Sequence, residues 1–438
     1  MNLLAVSENY INVAVDGIGT IDLPWLGNII KWLFDLFTGV PGAIALGAIV
    51  FTLALKTLVL PLDIYSRVKM KKQSLLMKSM RPQMEKLQHQ YANDKTMYNQ
   101  KVMELQRANG YNPLSACLPT IVSLVIFMVV FSAFSQYSAY ANLSQYNNLT
   151  VAYSAAVQEY VYDDISQDVS EDKLFLTAFD DDDKQIIHNG TDTTDTKVKG
   201  YKIDFDKFGR YYASIKAQAG VLPESWTTRW GETDFDALTS EADKNEMVIS
   251  FVQLRAREAA AKYYVDHKPA TSFLWIGNVW YPDSMFNKEL PSFSDFRSQI
   301  SRAAGSIDAN YEESYNEVTA NLSVQRDTYN GYFVLIVLAI GFMFLQQFIT
   351  MRAQKDANEL SSVDGSGART NKMMMIMMPI IFGIFSFFYS AAFSIYMIIN
   401  TAYSFLVTLV INKLVTVRFE NKQEKEALNK RAGRKRLK

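Results

Sequence analysis

One cation in this sequence sits where a cation is expensive. Residues 43–62, AIALGAIVFTLALKTLVLPL, have about the length that crosses a bilayer, and Lys56 lies well inside them. Thr52 precedes it by four residues, so the two share a helical face. An ammonium at that depth marks, by default, a place where something polar is handled: a carboxylate, an anion or a proton. The alternative is that the long stem of Lys56, six residues from the end of the run, snorkels to the headgroups. Other chemistry is scarce. The three histidines, His89, His188 and His267, lie outside the apolar runs. No HExxH, GxSxG or Walker-type loop occurs, and Ser123 and Ser394 have no histidine beside them in an apolar run to act as base. No enzyme is expected, and neither a metal nor a cofactor. The run Asp180–Asp183 lacks EF-hand spacing and reads as a solvated loop.

The elements that would hold Lys56 emerge from the charge pattern. The 438 residues carry a net charge of −1, which by itself suggests a soluble protein. The charges are segregated, however. Residues 63–112 hold 10 Lys/Arg against 4 Asp/Glu, residues 413–438 hold 10 against 3, and residues 138–330 hold 18 against 31. Basic blocks beside apolar spans and an acidic block between others are the positive-inside pattern of a polytopic membrane protein. The single cysteine, Cys117, excludes an intramolecular disulfide. The N-terminus lacks a basic segment followed by an apolar one, so no cleavable signal peptide is expected.

Taken in order, residues 1–40 form an extracytoplasmic N-terminus. Within it, Trp25, Ile29, Trp32, Leu33 and Leu36 give residues 23–39 the spacing of an interfacial amphipathic helix, or of a packed lid. Residues 41–137 contain span 43–62, a basic region 63–112 and span 118–137. In the basic region, Leu76, Met80, Met84, Leu87 and Tyr91 make one stripe, Asn93-Asp94 a turn, and Tyr98, Val102 and Leu105 a returning stripe: a cytoplasmic helical hairpin. Met77, Met80 and Met84 suit adaptable contact with variable partners there, or simply pack its seam. Residues 138–330 are an acidic extracytoplasmic insertion. In it, 246–268 and 295–329 read as amphipathic helices, and short strands are expected around Lys202–Phe208. Residues 331–415 supply spans 332–350, 373–389 and 391–412, the last two a tight hairpin around Ser390, and 416–438 are a basic cytoplasmic tail. The expected fold is all-α: five transmembrane helices, N-terminus out and C-terminus in, with an added helix-rich α(+β) external domain.

Several stretches carry a resemblance. TLALKTLVLPL, the charged hairpin after it and Asn112–Pro119 (NPLSACLP) resemble the YidC family of bacterial membrane protein insertases, in its five-span, Gram-positive-like form. Phe273–Ile276 with Pro282-Asp283, Gly341 through Gln346-Gln347, Lys372–Phe382 and Ile395-Tyr396 through Asn400 follow in the family's order. The resemblance covers roughly residues 25–137 and 270–415. It implies a hydrophilic groove, open to cytoplasm and lipid, that receives nascent membrane proteins and shortens their polar path across the bilayer. Its cation, usually arginine, falls on Lys56 and the polar partner on Thr52. Ser123, Gln346, Tyr396, Met397 and Asn400 would line the rest. Arg431, Arg434, Lys435 and Arg436 would face the ribosome, although orientation and anionic lipid also account for a basic tail. The Sec translocon is a further implied partner, and DNA is not one. Three departures stand out. Lysine lacks arginine's bidentate fork. Ser123 replaces a frequent glutamine and Met397 a frequent aromatic residue. The insertion of about 190 residues is long for the family. Without the resemblance, an ion-coupled small-solute transporter or a membrane-anchored scaffold acting through the external domain remains open.

Overall fold

The computed structural model describes residues 10–110, 114–162, 172–178, 185–187, 196–198, 200–218, 220–304, 307–353 and 366–436. They fall into two compact units. One comprises residues 23–138, 269–289 and 329–438, and the other residues 1–22, 139–268 and 290–328. Residues 10–22 thus group with the acidic segment, and 269–289 with the helical core.

In the helical unit, α1 (Trp25–Asp35) buries Leu26, Ile30, Leu33 and Phe34. Its Phe34 ring lies against Gly47, where an added Cβ would collide with it. The opposite face exposes Trp25, Ile29, Trp32 and Leu36, so the helix is apolar on both sides. Gly42, with φ +71°, turns the chain into α2 (Ala43–Gln90), whose 48 residues run through both Pro61 and Pro82. The first span and the first arm of the hairpin are thus one helix. Asp94 caps α3 (Lys95–Ala108) by accepting from the Met97 N–H at 3.0 Å. The stripe read from the sequence closes this hairpin: Met77, Met80, Met84, Tyr98 and Val102 form a buried cluster.

The remaining helices of this unit are the first part of α4 (Leu114–Gln158), α11 (Val334–Ala353), α12 (Ser366–Phe388) and α13 (Ala391–Arg436). The elements numbered between these belong to the other unit. Helix α13 packs along α2 and α11, and α11 packs on α12. Gly383 lets α12 approach Ile340 of α11 closely, and Ser386, Ser390, Ala391, Ala392 and Ser394 are all buried, the small-residue contact that lipid-embedded helices favour. A ring seam joins α4 to the hairpin: Phe127 meets Phe382 at 4.8 Å, and Phe131 meets Tyr389 at 4.4 Å and Phe393 at 5.2 Å. Among the described residues, Ala43–Lys69, Leu124–Gln158, Val334–Arg352 and Ala391–Arg418 are long and apolar enough to cross a membrane; Pro379–Phe388 is a shorter apolar stretch inside α12. The chain is a mostly helical polytopic membrane protein. Before α11, Asn330 stitches the loop by donating to the carbonyls of Asn278 and Pro282 at 2.9 Å each. Asp283, fully buried, accepts from the Tyr332 and Leu335 N–H groups at 2.7 and 2.6 Å and so caps α11.

The second unit is helix-rich with a small sheet. β1 (Tyr10–Ile11), β5 (Tyr201–Ile203) and β2 (Leu176–Ala178) pair antiparallel in the order β1-β5-β2, and β3 (Gln185–Ile187) pairs with β4 (Thr196–Val198). The expected strand at 202–208 is shorter because the Asp204 carboxylate accepts from the Lys207 N–H at 3.1 Å and starts α5 (Phe205–Lys216). Helices α6 (Glu224–Trp230) and α7 (Glu241–Thr271) follow. The helical stretch expected over 295–329 is divided into α8 (Phe293–Ala304), α9 (Tyr311–Val318) and α10 (Ser323–Asp327). A turn in which Asp308 takes up the Asn310 N–H separates the first two. Tyr153, Phe175, Phe208, Phe251 and Tyr264 centre one core, and Tyr146, Phe296 and Tyr315 a second. Arg257 of α7 grips Glu317 of α9 through Nε at 2.8 Å and Nη2 at 2.5 Å, while Tyr153 donates to the same carboxylate at 2.8 Å.

Candidate functional site

Three helices bring polar groups to one cavity of about 160 Å³ inside the helical unit. From α2 come Lys56, Asp63 and Arg67, with Leu55 and Val59 between them; from α13 come Tyr396, Asn400 and Ser404; from α11 comes Gln346. Ile126 and Phe127 of α4 form an apolar wall. The periodicity explains the arrangement. Positions 56, 59, 63 and 67 step by three and four along one face of α2, and 396, 400, 404 and 408 step by four along α13. The two helices pack lengthwise, so two polar stripes meet in an otherwise apolar bundle.

The stripes are cross-linked. The Lys56 ammonium donates to Ser404 Oγ at 3.2 Å. Thr408 Oγ1 donates to the Ser404 carbonyl at 2.7 Å and accepts from Arg67 Nη1. Arg67 Nη2 reaches Asp63 Oδ2 at 3.4 Å, both side chains being only 14% exposed. The lining thus carries two cations and one carboxylate. The Lys56 nitrogen points across to α13 rather than along its own helix, so it does not use its stem to reach outward.

The residues singled out from the sequence separate into groups. Lys56, Gln346, Tyr396 and Asn400 come together around the cavity. Thr52 and Met397 do not line it. Thr52 is fully buried, its hydroxyl spent on the Ala48 carbonyl at 2.6 Å, and Met397 is buried on a different face of α13. The Ser123 side chain lies outside the described residues, as do those of Arg431, Arg434, Lys435 and Arg436, whose backbone continues α13 as helix. The run Asp180–Asp183 also lies outside them. Of the two readings of Met77, Met80 and Met84, client contact or seam packing, the structure shows the packing: at 2, 2 and 0% exposure they fill the seam against α3. Their apolar volume is what holds a two-helix hairpin together. Met97 and Met103 are the exposed ones on α3. Asp63, Arg67, Ser404 and Thr408 were not singled out, although their helical spacing from Lys56 and Asn400 was a usable signal. Among the described residues no group of three or more His, Cys, Asp or Glu is placed to hold a metal ion.

Comparison with known proteins bears on the same segments. The sequence profile of the 60Kd inner membrane protein family matches residues 36–177 and 264–419, which include every residue named above as lining the cavity. Curated relatives include proteins named membrane protein insertase YidC. That of Fusobacterium nucleatum is 40% identical over 90 residues, 20% of this chain and 42% of that protein. That of Treponema pallidum is 32% identical over 109 residues, 25% and 17% of the two lengths. That of Jannaschia sp. is 33% identical over 117 residues, 26% and 18%. The chain therefore spans less than half the length of these relatives. No solved structure matches it. With the family profile matched over more than half of its length, on both sides of the acidic segment and across the helices around Lys56, the chain belongs to the 60Kd inner membrane protein family.

Proposed function

We propose that the chain is a membrane protein insertase, which receives nascent polypeptides in the Lys56 cavity and assists entry of their transmembrane segments into the bilayer. The observation that carries this reading is the convergence of Lys56, Gln346, Asn400 and Ser404 on one cavity between helices whose other faces are apolar. A polar chamber at membrane depth lowers the penalty of carrying a client's polar tail through hydrocarbon, because part of that path is no longer apolar. The Lys56 ammonium attracts acidic tail residues, and the amide and hydroxyl groups offer replaceable hydrogen bonds. The names of the curated relatives support the same activity. In this reading α2, α4, α11, α12 and α13 supply five spans of a bacterial cell-membrane protein, with the N-terminus outside and the basic C-terminal helix in the cytoplasm. That helix meets the ribosome, and the Sec translocon is a co-acting partner. The acidic unit lies outside and helps handle clients.

The test is site-specific photocrosslinking from the full chain to a ribosome-stalled membrane protein. A probe at Gln346, in the cavity, is expected to trap the nascent chain. A probe at Val337, 65% exposed on the same helix, is expected to trap lipid. Equal nascent-chain adducts from both positions, or none from Gln346, would overturn the reading.

A further inference from the structure

The cavity contains its own carboxylate. Asp63 and Arg67 follow Lys56 by seven and eleven residues, which places them on its face of α2, about 10 and 16 Å further along the axis. An Asp–Arg pair at i, i+4 often does no more than support a helix. This one is different in two respects. It lines the cavity, with both partners only 14% exposed, and the guanidinium is incompletely used. One nitrogen donates to Thr408 on α13 and one makes a single 3.4 Å contact with Asp63, while Nε is buried with no hydrogen-bond partner among the described residues. A guanidinium fork is shaped to hold a carboxylate through two parallel bonds. Asp63 therefore occupies the fork without satisfying it.

We propose that Asp63 is a specificity-determining residue: an internal carboxylate that competes with client carboxylates for the Lys56–Arg67 pair and so sets how acidic a client tail must be to bind. With Asp63 in place the three charged side chains sum to +1, and an incoming carboxylate meets repulsion from Asp63 before it can reach Arg67. Neutralising Asp63 raises the sum to +2 and frees the fork. The proposal takes its ligand, an acidic client tail, from the insertase reading, but its test does not require insertion.

The experiment measures binding of two labelled apolar peptides, identical except that one carries a single Asp where the other carries Asn, to the full chain in nanodiscs. The quantity read is the ratio of their affinities. Asp63→Asn is expected to raise the preference for the Asp peptide at least fivefold, about 1 kcal/mol. Asp63→Glu, which keeps the charge, is expected to hold the ratio within about twofold of the unmodified chain. Arg67→Gln removes the fork and leaves Asp63 opposing the ligand, so the preference falls below that of the unmodified chain. An unchanged or lowered ratio in Asp63→Asn overturns the proposal. So does a ratio in Asp63→Glu that matches Asp63→Asn, or no binding of either peptide to any form. If Asp63→Asn fails to fold, the Arg67→Gln ratio decides, and an unchanged value overturns. Failure of the insertase reading would appear separately, as lack of client insertion by the unmodified chain in vesicles, and would leave these ratios to decide the role of Asp63.

Discussion

Removing the Lys56 charge while keeping its bulk, as in Lys56→Met, tests the electrostatic core of the reading. A client carboxylate about 4 Å from the ammonium is attracted by about 4 kcal/mol at an effective dielectric near 20. Asp63 and Arg67 stay in place in the variant, so their effects on the carboxylate cancel from the comparison. The gross difference is therefore the Lys56 attraction of about 4 kcal/mol, and water that enters the cavity of the variant and solvates the carboxylate takes part of it back. The expected loss for an acidic tail is ten- to a hundredfold, about 1.4 to 2.7 kcal/mol. The assay uses the full chain in vesicles and a single-span client whose translocated tail carries two Asp or two Asn, read by protection from external protease. Lys56→Met should depress the Asp client by that factor and the Asn client by no more than about twofold. Lys56→Arg should insert both normally, since it keeps the charge. Equal losses for the two clients would assign Lys56 a packing role. No loss for either would remove charge attraction from the account.

Three further outcomes follow from the packing. Met80→Ala should weaken the α2–α3 seam by about 2 kcal/mol, read as amide exchange about thirtyfold faster across Lys95–Ala108 with α11 unchanged, because Met80 is one of five buried side chains that close that cluster among the described residues. Asp283→Ala strips the cap from α11 and should destabilise its first turn by about 2 kcal/mol, exposing the Tyr332 and Leu335 amides to exchange; Asp283→Asn should restore part of the protection. Glu317→Gln should lower the melting temperature of the acidic unit by leaving Arg257 half-paired, whereas the double change Arg257→Met/Glu317→Leu should be milder than Glu317→Gln alone, as apolar pairs replace partly buried ion pairs at little penalty.

The sequence made Lys56 legible because a charge within an apolar run contrasts with its neighbours. Arg67 was hidden by the same rule: it opens a basic run, and its count toward topology masked its position eleven residues after Lys56. Ser404 and Thr408 were hidden because hydroxyls are ordinary in apolar helices, where they tie back to the carbonyl four residues earlier, as Thr52 does to Ala48 and Thr408 to Ser404. The methionine stripe and its partner were both legible, because the matching stripe of Tyr98 and Val102 follows the Asn93-Asp94 turn and covers the methionine face. Span positions followed from composition, yet the end of span 43–62 is not a helix end: α2 runs on through Pro61 and Pro82 as one continuous helix. The pairing of Tyr10–Ile11 with Tyr201–Lys202 joins positions far apart in the chain, and local pattern carries no trace of such a contact.

The unbroken course of α2 has a mechanical consequence. At 1.5 Å per residue its 48 residues make a rod of about 72 Å. Pro61 and Pro82 each delete one backbone bond and ease bending at that point, so the rod carries two compliant joints. The first lies between Lys56 and Asp63. A push on the far arm is thereby delivered between those two side chains, and whatever docks on the hairpin gains leverage over their separation.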